Sequence, residues 1–302
     1  MNNILIVGTG ALACLFAARL TQAGFNVTML GTWQEGISAL RSHGVRLVDA
    51  SGNEQQFEVK ATDNPRECIG EKNALVLVKA WQTERAARQL GECLAEDGLA
   101  LTIQNGLGNY ETLIHSLGLN RVALGSSTTG ATLLGPGLVK AGGEGTISLG
   151  QNQALSQLEA ALRSAKFTVQ VVEDPQSLVW GKLVINAAIN PLTALLKVPN
   201  GELLERPSAR VLLGTLAREA AQVAYAEHIE LPFDDPVQAA EEVAHKTAAN
   251  RSSMLQDVLR GARTEIDAIC GAIVKVAEKH KIGAPVNWVC WQLVRAMNGK
   301  SE

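Results

Sequence analysis

In the first half of the chain, short apolar runs alternate with a segment in which apolar residues recur at helical spacing. Short apolar runs bounded by glycine or polar residues are typical of strands buried on both faces of a parallel sheet. They lie at residues 4–7, 25–30, 74–78, 99–103 and 122–124. The order of strand, helix and strand therefore predicts a parallel sheet with helices on both faces.

Three further segments complete the pattern of the first half. Residues 11–23 form the segment with helical spacing, and Gly24 supplies a stop signal directly after it. The apolar residues at 47–48 and 57–59 flank the turn-forming stretch 49–52, which predicts a hairpin. A glycine-rich β region then continues to residue 149.

The pattern changes after about residue 173. Asp174 followed by Pro175 is a helix-start signal, because an Asp side chain accepts hydrogen bonds from free N–H groups and Pro suits the first helical turn. Helical periodicity then dominates, for example over residues 209–226, 237–249 and 265–279. The sequence thus predicts an α/β protein with an N-terminal parallel-sheet domain over residues 1–173 and an all-α C-terminal domain over residues 174–302.

Composition narrows the possible partners. Of the 302 residues, 46% are hydrophobic and 19% are charged, and the formal net charge of -3 contains no long run of one sign. A surface for nucleic acid or for an anionic membrane needs clustered Lys and Arg, so neither partner is expected. The longest apolar stretch, residues 183–198, is interrupted by Asn186, Asn190 and Pro191, which argues against a membrane span. We expect a globular protein that is a monomer or a homodimer.

The cysteine and histidine residues predict neither a disulfide framework nor a metal site. The five cysteines are scattered, odd in number and form no CxxC pair, which is typical of reduced thiols in a cytoplasmic protein. The first residues lead directly into an apolar strand without the features of a secretory leader, so a cytoplasmic location is expected. The five histidines lack the spacing of metal ligands, and no metal site is predicted.

A glycine-rich turn lies between the first predicted strand and the first predicted helix. In this GxGxxA pattern, the first glycine permits a tight turn, the second lets a pyrophosphate approach the backbone, and the alanine keeps helix and strand close. The helix N-terminus presents N–H groups and a partial positive charge to the phosphates. The pattern predicts a Rossmann-type domain that binds a dinucleotide; the alternative is a purely structural turn. The candidate cofactor-binding residues here are Gly8, Thr9, Gly10, Ala11, Leu12 and Ala13.

The end of the second predicted strand bears on the choice between NADP and NAD. An NAD site usually carries Asp or Glu about 20 residues after the glycines, whereas an NADP site favours a nearby Arg. This chain has Thr32 and Trp33 at that place. Because a carboxylate would repel the extra phosphate of NADP, its absence favours NADP, and NAD is not excluded. Trp33 is a candidate to cover the adenine or, alternatively, a surface or interface aromatic.

Lys182, Asn186 and Asn190 recur at intervals of four residues and so share one face of a helix. Their neighbours are almost wholly apolar, and buried polar groups cost free energy unless they are paired. We interpret the stripe as part of a site; the alternative is a solvated helix face. Reduction of a ketone by hydride leaves an alkoxide, which a Lys ammonium can stabilise and protonate, while Asn amides can hydrogen-bond the substrate.

A second polar cluster lies near the C-terminus, in residues 252–257 and 260–267. Gly261 suggests a break, and Thr264 with Asp267 three residues later resembles a helix cap. Glu265 at the start of a new helix would be well placed to face a cleft. Its alternative role is that of a carboxylate stabilising a helix dipole.

At this point the chain resembles the 2-dehydropantoate 2-reductase (ketopantoate reductase) family almost from end to end. The resemblance rests on the glycine turn and on a series of more specific motifs in preserved order: Lys79-Ala80-Trp81-Gln82, Gln104-Asn105-Gly106, Trp180-Gly181-Lys182-Leu183 with Asn186 and Asn190, Pro199-Asn200-Gly201-Glu202, Ser252-Ser253-Met254-Leu255-Gln256-Asp257, and Thr264-Glu265-Ile266-Asp267. It implies NADPH-dependent reduction of ketopantoate, a small 2-keto acid, to pantoate in pantothenate biosynthesis.

The resemblance also implies roles for individual residues. Lys182 matches the family's proton donor, and Glu265 matches the acid that orders the ternary site near the nicotinamide ribose. Asn105 matches the residue that touches both nicotinamide and substrate. Lys79 matches a cofactor contact, and Ala131 a backbone contact to the cofactor. The implied substrate hydrogen-bonders are Asn186, Asn190, Asn200 and Ser253.

The sequence departs from the family pattern at two positions. Ala13 replaces the third glycine, and Thr32 stands where the Arg near the adenosine 2′-phosphate is expected. Three alternative functions stay open: a reductase of another small 2-keto or 3-hydroxy acid, a non-catalytic NAD(P) sensor, and a methyltransferase-like Rossmann protein. A sensor function does not explain the polar residues Lys182, Asn186 and Asn190 on one helix face. A methyltransferase is expected to carry an acidic residue near Thr32 that hydrogen-bonds a ribose, and this chain has none there.

Overall fold

The computed structural model describes residues 3–49 and 51–297. The chain forms two compact units. The first, here called the sheet unit, comprises the described residues up to Gln104 together with Asn109–Pro175. The second, the helical unit, comprises Asn105–Gly108 and the described residues from Gln176 onward. The chain therefore passes into the helical unit at Asn105, returns to the sheet unit at Asn109, and passes into the helical unit again after Pro175. A single boundary at residue 173 does not describe this path.

The strands that the described residues form lie in the sheet unit. In chain order they are β1 (Asn3–Val7), β2 (Asn26–Leu30), β3 (Val45–Val48), β4 (Glu54–Phe57), β5 (Lys60–Thr62), β6 (Glu71–Val76), β7 (Leu94–Thr102), β8 (Val122–Ser127), β9 (Ala131–Gly135), β10 (Leu138–Ala141), β11 (Thr146–Gly150) and β12 (Thr168–Val172). The helices of this unit are α1 (Ala11–Gln22), α2 (Gln34–His43), α3 (Thr83–Cys93), α4 (Asn109–Leu117) and α5 (Ser156–Ser164).

The main sheet has the order β12-β11-β8-β7-β6-β1-β2-β5. All neighbouring pairs are parallel except β11 and β8, which run antiparallel. The predicted parallel sheet is thus confirmed, except that β11 and β12 near one edge run antiparallel to the other strands. Within it, β5-β2-β1-β6-β7-β8 is the strand order of the doubly wound dinucleotide-binding fold, in which ligands bind beyond the carboxyl ends of the strands where the order reverses. The glycine turn follows β1, one of the two strands at that reversal.

A second sheet, of order β4-β3-β10-β9, was not predicted as a separate layer. The expected hairpin is present, because β3 and β4 pair antiparallel and Asp49 Oδ1 accepts hydrogen bonds from the N–H groups of Ser51 and Asn53 at 2.8 and 2.9 Å. Ala50 of the predicted turn lies outside the described residues. The glycine-rich region after β8 supplies β9 and β10, and β10 joins the hairpin by pairing parallel to β3.

The described residues of the helical unit form seven helices: α6 (Pro175–Leu196), α7 (Glu202–Glu205), α8 (Pro207–Ala226), α9 (Pro236–Lys246), α10 (Ser253–Leu259), α11 (Cys270–Lys279) and α12 (Pro285–Met297). Pro175 itself is assigned to the sheet unit. Of the described residues, those of α6 form the one helix long and apolar enough to cross a membrane by length and composition alone. In α6, 67% of the most apolar window is buried, as in the core helix of a globular protein.

The helix predicted over residues 265–279 is shorter than expected. A 3-10 turn, Ile266–Ala268, follows Glu265, and Ile269 breaks the helical path with φ -103 and ψ -93 before α11 begins at Cys270. The helix cap expected from Thr264 and Asp267 is a wrong prediction, since the turn is capped at Glu265 without a side-chain hydrogen bond. Asp267 instead accepts a hydrogen bond from the indole N–H of Trp291 at 2.7 Å.

One buried carboxylate joins two helices of this unit. Glu219 on α8 is 8% exposed and accepts hydrogen bonds from Val286 N at 3.0 Å and from Asn287 N and Nδ2 at 2.9 Å each. The two backbone N–H groups belong to the first turn of α12, where intrahelical acceptors are lacking. Glu219 therefore caps α12 from a neighbouring helix, and its charge complements the helix dipole.

We expect Glu219→Ala to lower the free energy of unfolding by about 2–4 kcal/mol, because it leaves the backbone N–H groups of Val286 and Asn287 without acceptors. Thermal denaturation measures the effect. Glu278→Ala is the matched control, since Glu278 is an exposed residue of α11. Surface substitutions usually change the free energy of unfolding by no more than about 0.5 kcal/mol. If the free energies of unfolding of Glu219→Ala and Glu278→Ala differed by no more than this amount, the capping role of Glu219 would be wrong.

Candidate functional site

The glycine turn after β1 has the geometry that a close approach of phosphate requires. Gly8 adopts φ +135, and a Cβ there would lie 2.9 Å from the carbonyl oxygen of Leu77, so only glycine fits. Gly10 differs, because no heavy atom of the described chain lies within 4 Å of the place where its Cβ would stand. The first turn of α1 begins there without an acidic residue, and Ala13 is fully buried. Space and free N–H groups for an anion thus coincide at the start of α1.

The end of β2 carries no free carboxylate. Thr32 is partly buried, and the ring of Trp33 packs against Gly36 of α2, the helix that begins directly after Trp33. Asp63, which follows β5, accepts a hydrogen bond from Gln34 Nε2 at 2.8 Å, and this bond is the main reason why the pKa of Asp63 is lowered. Arg41 contacts Asp63 at 3.5 Å and donates from Nε to Ala61 O at 2.8 Å.

The loops that follow β6 and β7 are linked by a polar network. Gln104 Nε2 donates to Val78 O and to Thr83 Oγ1, each at 2.9 Å, and Thr83 Oγ1 donates to Asn109 Oδ1 at 2.7 Å. Lys79 follows Val78 and begins a 3-10 turn closed by a bond from its N–H to Gln82 Oε1 at 3.3 Å. The network around Lys79 thus contains Gln82 and Gln104, which belong to the motifs quoted from the sequence, and Thr83 and Asn109, which sequence reasoning did not select.

Ala131, the remaining predicted cofactor contact, is the first residue of β9 and pairs with Ala141 of β10. The backbone preceding it is crowded, because a Cβ on Gly142 would lie 2.7 Å from the carbonyl of Gly130. This crowding restrains the position of the strand start.

In the helical unit, the structure brings three predicted residues together. Asn105 Nδ2 donates to Glu265 Oε2 at 3.3 Å, and Glu265 is only 6% exposed. Lys182, a partly buried residue of α6, is close enough to Glu265 for the carboxylate to act on its pKa. Burial lowers the pKa of Lys182 to about 8, against an opposing, smaller upward effect of Glu265. An amine that titrates near neutral pH beside a carboxylate and an amide can donate or accept a proton.

Asn186 and Asn190 lie on the same face of α6 as Lys182, as the spacing predicts. Asn190 is 5% exposed, and Asn186 is partly buried. The helix thus carries an amine and two amides along one stripe, amid apolar residues that are mostly buried.

Asn200 is 7% exposed, and its two amide atoms differ. Nδ2 donates to Thr247 Oγ1 at 2.8 Å, while Thr247 Oγ1 donates to Val243 O at 2.7 Å. Oδ1 of Asn200 is buried and has no hydrogen-bond partner among the described residues. A buried carbonyl oxygen without a donor costs free energy, so this atom is suited to accept a hydrogen bond from a bound ligand.

Ser253 is exposed and is the first residue of α10. Its position is set by Ser252, whose Oγ accepts from Leu255 N at 3.0 Å and lies 2.7 Å from Thr193 Oγ1 of α6. Ser252 belongs to a motif quoted from the sequence but was given no role there, and Thr247 was not singled out. A serine just before an apolar helical run was the available signal for Ser252, because serine is a preferred N-cap residue. Thr247 gave no comparable signal.

The described residues contain no group of three or more His, Cys, Asp or Glu side chains that could hold a metal ion.

Comparisons with known proteins agree over nearly the whole chain. The family Ketopantoate reductase PanE/ApbA matches residues 4–154, and its C-terminal counterpart, Ketopantoate reductase PanE/ApbA C terminal, matches residues 174–298. A 2-dehydropantoate 2-reductase from Halobacterium salinarum is 34% identical over 299 residues, which cover 97% of this chain and 98% of the relative.

Solved structures have the same fold. A PanE/ApbA family ketopantoate reductase from Ralstonia eutropha is similar with a TM-score of 0.91 and 30% identity, and the match covers 99% of both chains. A D-mandelate dehydrogenase solved with NADH and anilino(oxo)acetate is similar with a TM-score of 0.92 and 25% identity, and the match covers 98% of both chains.

Proposed function

The chain belongs to the Ketopantoate reductase PanE/ApbA family, and on that premise we propose that it is an oxidoreductase that reduces 2-dehydropantoate (ketopantoate) to pantoate with a nicotinamide cofactor. When bound, the nicotinamide supplies a hydride to the C2 carbonyl carbon. Residues 1–173 form the dinucleotide-binding domain, and residues 174–302 form the substrate and catalytic domain. The relative from Halobacterium salinarum, a 2-dehydropantoate 2-reductase, supports this assignment of substrate.

The observation that carries the proposal is the placement of Lys182 beside Glu265, whose carboxylate accepts a hydrogen bond from Asn105. Reduction of the carbonyl turns its oxygen into an alkoxide, which needs a proton. The Lys182 ammonium polarises the carbonyl oxygen and then donates that proton, and a pKa of about 8 makes it a stronger acid than an ordinary Lys. The Glu265 carboxylate, held by Asn105, opposes the effect of burial and so keeps most of the amine protonated at neutral pH.

The substrate offers a carboxylate and a hydroxyl for recognition. The hydroxyl donates a hydrogen bond to the unpartnered Oδ1 of Asn200, which would satisfy that buried atom. Asn186, Asn190 and Ser253 supply the remaining polar contacts from amide and hydroxyl groups. These neutral donors suit a small anionic substrate, because they do not require a second buried cation.

The cofactor site is assigned to Gly8, Thr9, Gly10, Ala11, Leu12, Ala13, Thr32, Lys79, Asn105, Ala131 and Glu265. The open space at Gly10 and the start of α1 fit a pyrophosphate. We propose NADP as the preferred cofactor, because Thr32 places no carboxylate where the 2′-phosphate would bind. The related D-mandelate dehydrogenase was solved with NADH, so both cofactors belong in the test.

The test is a steady-state assay of ketopantoate reduction with NADPH and NADH in parallel, with pantoate identified by mass spectrometry. We expect turnover with ketopantoate and a higher kcat/KM for NADPH. A panel of other small 2-keto acids serves as the control for substrate. If another 2-keto acid had the higher kcat/KM, or if NADPH bound without turnover, the assigned activity would be wrong.

The pH dependence of the reaction follows from the lowered pKa of Lys182. The proton donor is the ammonium form, which dominates below the pKa, so kcat/KM for reduction is expected to be level at lower pH and to fall as the pH rises through about 8. The reverse reaction, oxidation of pantoate, needs the neutral amine and should gain rate through the same range. A reduction rate that stayed level up to pH 10, near the ordinary pKa of Lys, would contradict the assignment.

A further inference from the structure

Glu265 has no secondary structure of its own to hold it. It precedes the 3-10 turn Ile266–Ala268, a segment of three residues, and Ile269 then interrupts the backbone before α11. Within the turn, Ala268 N and Ile269 N donate to Glu265 O at 3.0 and 3.1 Å. Such a short turn cannot fix a side chain unless neighbouring elements hold it.

The first support for the turn comes from helix α12. Trp291 Nε1 donates to Asp267 Oδ1 at 2.7 Å, a bond from a neutral donor to a charged acceptor. Gly271 leaves room for the indole, since a Cβ there would lie 2.8 Å from Trp291 Cε2. The guanidinium of Arg295, one turn along α12, lies 5.6 Å from the centre of the Trp291 ring. The indole is therefore confined as well as bonded.

Two arginines complete the surroundings of Asp267. Arg263 lies 3.5 Å from Oδ2 and Arg295 lies 3.7 Å from Oδ1, both from solvent-accessible positions. Exposed ion pairs at these distances contribute little. The short bond from Trp291 is thus the main polar tie between α12 and the turn.

The same turn also holds the segment that carries Asn105. Leu107 N donates to Ala268 O at 3.0 Å, and Gly106 passes so close that a Cβ would lie 2.7 Å from Ala268 Cβ. Gly106 adopts φ +81, which a glycine reaches without strain. One turn therefore sets the position of both Glu265 and Asn105, whose side chains are hydrogen-bonded to each other.

We propose that Trp291 and Asp267 are positioning residues, which hold the turn Ile266–Ala268 so that Glu265 and Asn105 keep their arrangement beside Lys182. The proposal rests on the function proposed above for Lys182 and Glu265. Neither Trp291 nor Asp267 is assigned a contact with substrate or cofactor. Their effect passes through the backbone of the turn.

The test compares Trp291→Phe with Trp288→Phe. The two residues lie on the same helix, and Trp288, which is 50% exposed, lines a different surface with Ile282 and Pro285. Trp291→Phe keeps an aromatic ring but removes the N–H donor. Asp267→Asn retains an oxygen acceptor for Trp291, and Asp267→Ala removes it.

We expect Trp291→Phe and Asp267→Ala to lower kcat/KM for ketopantoate about tenfold or more. Asp267→Asn should retain most of the activity, and Trp288→Phe all of it. The double variant Trp291→Phe with Asp267→Ala should be no worse than the poorer single variant, because both changes remove the same tie.

A second readout does not depend on turnover. The pKa of Lys182 can be measured by NMR on protein with ¹³C-labelled lysine, with the signal identified by its loss in Lys182→Met. Among the described residues, Glu265 is the charged group that raises this pKa, so its displacement in Trp291→Phe should lower it. Trp288→Phe should leave it unchanged.

The outcomes separate this proposal from the proposed function. If wild-type protein failed to reduce ketopantoate, the function would be wrong, and the pKa measurement would still decide the positioning role. If Trp291→Phe matched Trp288→Phe in kcat/KM and in the pKa of Lys182, the positioning role would be overturned. A loss of thermal stability in Trp291→Phe with both readouts unchanged would likewise mean that Trp291 supports only the fold.

Discussion

Replacing Lys182 with Met is expected to lower kcat for ketopantoate reduction by about 10²–10⁴-fold, the usual contribution of a general acid. Met keeps the length and apolar stem of the side chain, so the packing of α6 is retained while the proton donor is lost. Because the assigned phosphate contacts lie at the start of α1, Kd for the cofactor should stay within about threefold of wild type. Stopped-flow and steady-state kinetics with ketopantoate measure the first effect, and fluorescence titration of NADPH measures the second.

Lys275→Met is the matched control for this variant. Lys275 is an exposed lysine of α11 in the same unit, so the same chemical change there should leave kcat unaltered. If Lys182→Met reduced kcat/KM by less than about tenfold, or roughly 1.4 kcal/mol, little room would be left for a proton donor at this position.

Replacing Gly10 with Val is expected to weaken cofactor binding by at least about 100-fold, or roughly 2.7 kcal/mol. The side chain would enter space that holds no heavy atom of the described chain within 4 Å, so the apo fold should accept it. Gly10 has φ -85 and ψ -172, an extended conformation that Val adopts without strain. The added methyl groups would occupy the place assigned to the pyrophosphate.

Gly91→Val controls for the substitution itself. Gly91 also has nothing within 4 Å of its would-be Cβ and lies on the exposed side of α3. We expect it to leave Kd for NADPH unchanged, and both variants to keep the thermal stability of wild type. Unaltered NADPH binding in Gly10→Val would refute the phosphate site, whereas a strong loss of stability would show that the space at Gly10 is not open to a side chain.

Much of the fold could be predicted because it depends on local patterns. The buried strands β1, β2, β6 and β7 were visible as apolar runs, and α8 as a long helical period, since each pattern reports which faces an element buries. The second sheet was not visible as a layer. It joins β3 to β10, strands far apart in the chain, and such pairing leaves no periodic signal in either segment.

The helix predicted from residue 265 is a second case in which contacts between distant parts of the chain were not visible in the sequence pattern. The periodicity of residues 265–279 is helical, yet the structure interrupts it at Ile269 to allow the turn that holds Glu265. Asp267 looked like a capping residue in the sequence, but its partner is Trp291, which lies 24 residues further along the chain. Sequence patterns predict hydrogen-bond partners that are close in the chain. At functional sites, contacts with residues far away in the chain can replace these predicted partners.

The candidate site was predictable to a similar degree. The spacing of Lys182, Asn186 and Asn190 placed three polar residues on one helix face amid apolar residues. Burying polar groups costs free energy unless they are hydrogen-bonded, so this face indicated a site. The contact of Asn105 with Glu265 could not be derived, since the two residues are 160 positions apart. The pKa of Lys182 could not be derived either, because it depends on burial that only the folded helical unit creates.

The most direct test of the whole account is deuteride transfer. Wild-type protein is incubated with ketopantoate and a nicotinamide cofactor carrying two deuterium atoms at C4, and the product is examined by mass spectrometry and NMR. The account predicts pantoate with one deuterium at C2 and one cofactor molecule oxidised for each pantoate formed. Pantoate without deuterium at C2, or oxidation of the cofactor without pantoate, would contradict it.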